Sequence, residues 1–253
     1  MPTIKDISRQ SQTVPTEHPN TRDHLRMIAR EVNQSVIHRS LYPVDVPATV
    51  SATYTMLDSD RQILAKAGAA LTVNLLTAAG RESRELVIQK IDSSSNIVTI
   101  DANGTETIGG ATTQFLGSQH GTLAIFSDGT NWRISSLLER GTYTPTLTNA
   151  ANVAASTAYT CQFLRIGDMV TVSGKVDVDP TSAATLTRLQ LSLPFASNFA
   201  DDGDCGGAAF ASGVAGQGAA MRADVTLNVA EMIWIAGDVS NQPMYFSFTY
   251  QIL

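Results

Sequence analysis

The 253-residue sequence predicts a mainly β fold, with one N-terminal amphipathic helix followed by two β-rich modules. Three observations predict it. Short runs such as MVTVSGKVDV and PMYFSFTYQIL alternate with period two, the pattern of strands with one buried face. Turn signals separate the runs, notably Asn103-Gly104 and Asp128-Gly129, whose residues tolerate positive φ. The chain is 43% apolar but only 16% charged, and Ala, Thr, Ser and Gly fill the balance. That composition suits sheets packed against neighbours and predicts an oligomer.

The first section is residues 1–44. Pro15 and Pro19 oppose helix in the polar start, and Asn20 is placed to N-cap a helix that carries Asp23 in its first turn. Leu25, Ile28, Val32 and Val36 follow at spacings of three and four, so about four turns of helix end near Arg39. Such a stripe can dock on the rest of its own chain or into a partner. Pro43 and Pro47 form a stiff linker after it, and this favours the partner.

The second section, residues 45–139, reads as short strands and turns: ATYTML, RQILAKAG, LTVNLL, ELVIQKI, NIVTI, TQFLG, TLAIFS and NWRIS. Regular short strands of this kind predict a sandwich, barrel or prism. At residue 140 the texture shifts to a second module, 140–253, that opens with GTYTPTL. Its last strand puts Tyr245, Ser247 and Thr249 on one face and Phe246, Phe248 and Tyr250 on the other, so burial between sheets or subunits is expected. The Gly- and Asp-rich stretch 198–220 is expected to be a long irregular loop.

Candidate chemistry is sparse. His18, His24 and His38 fall in the N-terminal section with no pair at i and i+4, so neither a metal site nor catalysis is expected there. Asp201, Asp202 and Asp204 in DDGDCGG lack the alternating ligands and distal Glu of a calcium loop. GVAGQG has the glycines of a phosphate loop without a convincing strand before it or helix after it. Cys161 and Cys205 stand far apart with no CxxC and are expected as buried or half-buried free thiols, while Trp132 and Trp234 are expected in the core. No cofactor and no enzymatic activity are expected.

Charge is uneven within the net −6. Residues 1–44 hold six Lys/Arg against four Asp/Glu, 45–140 seven against ten, and 141–253 four against nine. The acidic C-terminal part opposes binding to a nucleic-acid backbone, which needs a basic stripe. There is no run of 18 apolar residues for membrane insertion, and MPTIKDISRQSQ lacks the apolar core of a signal peptide, so synthesis in a cytosol is expected.

The run ELVIQKIDSSSNIVTIDANGTETIGGATTQFLGSQHGTLAIFSDGTNWRI resembles a recurring theme of tailed-bacteriophage fibre and spike proteins. RGTYTPTLTNA, FLRIGDMVTVSGKV and LQLSLPFAS look like the C-terminal β-sandwich, jelly-roll-like domains of such fibres, and RDHLRMIAREVNQ is similar to short helices near the start of phage virion proteins. SDGTNW and GTYTPTL are the most specific pair. The resemblance implies a homotrimer with β-prism or sandwich modules, located in the virion. Leu25, Ile28, Val32 and Val36 would then dock into a phage tail or capsid protein, and the C-terminal module would meet a host-surface glycan or protein. Asn198, Asp201, Asp202, Asp204, Asn241 and Gln242 are the expected receptor contacts, as polar loop residues at one end of the sandwich. The alternative is a capsid decoration or head-fibre trimer that stabilises the shell. A polysaccharide-degrading tailspike implies a long parallel β-helix, for which modules of about 90 to 115 residues leave no space.

Overall fold

Alternating side chains set the architecture of the computed structural model, which describes residues 48–253 apart from residue 215. The N-terminal helix expected from Leu25, Ile28, Val32 and Val36 lies outside the described residues. Pro47–Leu253 is one unit, mainly β, with two hydrophobic cores.

The strands in chain order are β1 (Ala48–Val50), β2 (Tyr54–Thr55), β3 (Gln62–Ala65), β4 (Leu71–Asn74), β5 (Glu85–Lys90), β6 (Val98–Asp101), β7 (Thr113–Leu116), β8 (Thr122–Ser127) and β9 (Trp132–Tyr143). They continue as β10 (Leu147–Ala151), β11 (Val153–Ala158), β12 (Cys161–Ile166), β13 (Met169–Pro180), β14 (Leu186–Leu191), β15 (Cys205–Ala211), β16 (Gly218–Asp224), β17 (Val229–Ile235) and β18 (Gln242–Gln251).

In the first module successive strands step between two sheets. β1, β3 and β5 pair in parallel in one, and β2, β4 and β6 in parallel in the other. Like residues stack from rung to rung: Ile63 on Ile88, Leu71 on Val98, Val73 on Ile100, all fully or almost fully buried. The expected sandwich, barrel or prism is therefore a short parallel coil of three rungs, closed by antiparallel β7, β8 and β9. Asp128-Gly129 does close a hairpin. Asp128 Oδ1 accepts from the Thr130 and Asn131 N–H groups, and Gly129 sits at φ +90°. Asn103-Gly104 makes a turn within the longer connection from β6 to β7, because Asp101 pairs with Thr113 rather than across the dipeptide.

Buried Lys90 fixes the connection from β5 to β6. Its Nζ donates to Asp92 Oδ1 at 2.9 Å and to the Asp92 and Ser94 carbonyls, each at 2.8 Å. Burial pushes the Asp92 carboxyl up, but hydrogen bonds from Lys90, Ser94 and the Ala67 N–H outweigh it and hold the group at about 2. A folded value below the ordinary 3.8 gives stability that is present above pH 4 and lost as pH falls through about 2. Asp92→Asn is expected to flatten that acid limb, removing up to about 2 kcal/mol of pH dependence. Denaturant midpoints from pH 5 to 2 check it.

β9 is continuous through the expected module boundary at 139/140. Residues 132–138 pair with β8 and residues 138–143 with β12. In the second module β13 pairs with β12 through residues 169–173, then with β11 through 176–180 on the same edge, and with β18 on the other. The ladder runs on through β15, β16, β17 and β14 to β10, which continues into β11 past Asn152 at φ +55°. The circuit closes on itself. It encloses Val170, Val172, Val176 and Val178 with Met244, Phe246, Phe248 and Tyr250.

The stretch 198–220 is more regular than expected, since β15 and the start of β16 lie in it. GVAGQG is the turn between them. Its Gln217 side chain donates to Ile235 O and accepts from the Gly237 N–H, which makes it a structural clip. Trp132 and Trp234 are core residues, as expected, with their indole N–H groups on Leu76 O and Gln242 Oε1.

Candidate functional site

The expected receptor contacts separate into two places. Asp201 N-caps a one-turn 3-10 helix at Asp202–Asp204: its Oδ1 accepts from Gly203 N–H, and Asp204 Oδ2 accepts from the Ala200 and Asp201 N–H groups. Asp202 lies 3.6 Å from Arg222. Asn198 is exposed just before this turn. Cys205 pairs with Tyr250 at the end of β18, whereas Asn241 and Gln242 stand at its start. A ten-residue strand separates the two groups by roughly 30 Å at about 3.3 Å per residue, so one ligand does not bridge them. Gln242 is a correction as well. It is fully buried, accepting from Trp234 and donating to Asp238 O, because the indole needs a polar partner in the core. Asn241 donates to Asp179 Oδ1 at 2.8 Å and remains exposed.

Both cysteines are free and buried. Burial raises the Cys161 thiol and pushes Cys205 up to about 12, so both stay protonated at neutral pH. Among the described residues no group of three or more His, Cys, Asp or Glu is placed to hold a metal ion.

Two surfaces that spacing alone did not reveal stand out instead. The first is the outer face of β9, β12, β13, β18 and β15. Register sets its rows: Leu138, Ile166, Met169 and Gln251; Arg140, Leu164, Thr171, Thr249 and Gly206; Thr142, Gln162, Ser173, Ser247 and Ala208; then Lys175, Tyr245 and Phe210. Phe210 is 66% exposed, Ile166 61% and Tyr245 52%. Arg140, Lys175 and Asp177 carry charge on the face, and Lys175 and Asp177 are paired with each other at 3.0 Å. Five strands about 4.8 Å apart make a face of roughly 500 Å², below the roughly 800 Å² that each partner buries in a standard-size complex.

The second surface is a cleft of about 910 Å³ beside β9. The β8 ladder ends at Leu138, and the loops 93–97 and 117–120 face the strand beyond it, with β12 and Pro194-Phe195 closing the other side. Its aromatic wall is fixed in place. Phe163 and Phe195 meet edge to face at 5.2 Å, Arg165 lies 5.0 Å over the Phe195 ring, and Tyr250 Oη donates to Phe195 O at 2.8 Å.

Beneath the cleft Arg165 and Glu139 face each other on paired strands, both buried, with Nη1 to Oε2 at 3.1 Å. Glu139 Oε1 also accepts from Gly117 N–H, Ser118 N–H and the Ser118 hydroxyl, so one carboxylate clips a first-module loop to a second-module strand. No protein-family model matches the chain, and no curated protein matches it.

Proposed function

We propose that the chain is a structural virion protein of a tailed bacteriophage. In this reading it forms a short homotrimeric tail fibre or spike, held on the particle by residues 1–44 and meeting the host surface with its C-terminal module. The observation that carries it is the wide outer face on which Ile166, Met169, Tyr245 and Phe210 stand exposed among Thr, Ser and Gln side chains with few charges. Exposed large apolar side chains gathered on one sheet face favour an interaction surface. Three such faces turned toward one axis cover one another as the walls of a triangular prism. The sequence elements behind the reading are SDGTNW, at the β8–β9 hairpin, and GTYTPTL, which runs from β9 into β10.

The test has two arms. Changing Ile28 and Val32 together to Asp is expected to give particles that assemble without this chain, while the purified variant keeps its oligomer, because burying an unpaired charge costs several kcal/mol. A variant that loses its oligomer instead would overturn the docking role of Leu25, Ile28, Val32 and Val36. In the second arm, purified full-length chain in large excess is expected to slow adsorption of the phage, with several copies per particle compensating weak single contacts. Deletion particles that adsorb normally but break under heat or osmotic shock would replace this reading with that of a capsid decoration.

A further inference from the structure

We infer that the cleft beside β9 is a binding site for a carboxylate-bearing oligosaccharide. This deepens the attachment reading and rests on it only for where the saccharide comes from. The lining chemistry carries the inference. In a chain of net charge −6, the cleft is lined by Arg140 and His120 and by no Asp or Glu. Both nearby carboxylates are engaged internally, Asp92 by Lys90 at 2.9 Å and Glu139 by Arg165 at 3.1 Å. Arg140 has no ion-pair partner among the described residues, and its planar guanidinium suits a carboxylate.

The remaining groups suit a polyhydroxylated ligand rather than a lipid or an apolar peptide. Gln162 offers an amide that donates and accepts, Gln119 keeps its amide oxygen and one N–H beyond its bond to Ile91 O, and Ser93 and Ser95 offer hydroxyls. Phe163 and Phe195 supply a fixed apolar wall for the C–H faces of a sugar ring. A volume of about 910 Å³ lies within the range of ligand clefts and admits more than one sugar unit. Arg140, Thr142 and Gln162 are shared with the β9 edge of the outer sheet face, so this reading requires the assembly contact to leave that edge open.

The test uses the purified full-length chain in its native oligomeric state and needs no particles, so its failure is distinct from a failure of adsorption. Isothermal titration with trigalacturonate is expected to give saturable binding, and the fully methyl-esterified trisaccharide is expected to bind at least about tenfold more weakly. Arg140→Gln, at an exposed position, is expected to keep the fold and lose about tenfold in affinity. Ser95→Trp, which fills the cleft from an exposed loop, is expected to abolish binding. No binding of the acid form, equal binding of the methyl ester, or unchanged affinity in both variants would overturn the assignment.

Discussion

Replacing Glu139 by Ala is expected to cost about 3 to 5 kcal/mol of stability, the usual effect of removing one member of a buried ion pair. Three losses combine. The Arg165 guanidinium keeps its charge in a site only 7% exposed, the Gly117 and Ser118 N–H groups lose their acceptor, and the clip between the two modules opens. The reverse change, Arg165→Met with Glu139 intact, is expected to be similarly damaging. The double variant Glu139→Leu with Arg165→Met is expected to be more stable than either single one, since no charge is then left unpaired in the interior. Denaturant midpoints at fixed chain concentration measure all three. Equal stability of Glu139→Ala and wild type would show that the pair does not join the modules.

The second large effect is expected at Gly207. A Cβ there would overlap Ser247 O and stand 2.6 Å from the Phe248 Cα, so the obstacle is the backbone of β18 and no rotamer change relieves it. Gly207→Val is expected to cost about 3 kcal/mol or more, or to prevent folding, because β15 must leave the strand that carries the core aromatics. Gly206→Ala is the matched control. Nothing lies within 4 Å of its Cβ, and a change within about 0.5 kcal/mol is expected. Soluble yield and thermal midpoint separate the two outcomes.

The same close approach explains what was legible in the sequence and what was not. β13 and β18 read directly, since Val170, Val172, Val176 and Val178 alternate with polar residues and Phe246, Phe248 and Tyr250 face the core as the alternation predicts. CGGAAFA reads as loop because β18 leaves no room for large side chains where Gly207 sits, and small residues carry no periodic signal. The parallel coil was hidden for a different reason. Its strands are two to six residues long and alternate just as hairpin strands do, so partner choice depends on contacts between distant rungs such as Ile63 with Ile88. Asp201 and Asp204 read as polar loop residues, but their carboxylates are turned onto neighbouring backbone. The cleft gave no local pattern at all, because its lining comes from five separate segments that meet only once β9 has joined the modules.

The mass of the purified chain in solution shows whether the proposed trimer forms through the outer sheet face. Light scattering at micromolar concentration is expected to give about 81 kDa, three chains of 26.9 kDa. Ile166→Asp, at a position 61% exposed in the single chain, is expected to leave the β structure intact and shift the species to a folded monomer. A wild-type monomer of 26.9 kDa, or a trimer that persists unchanged in Ile166→Asp, would rule out assembly through this face.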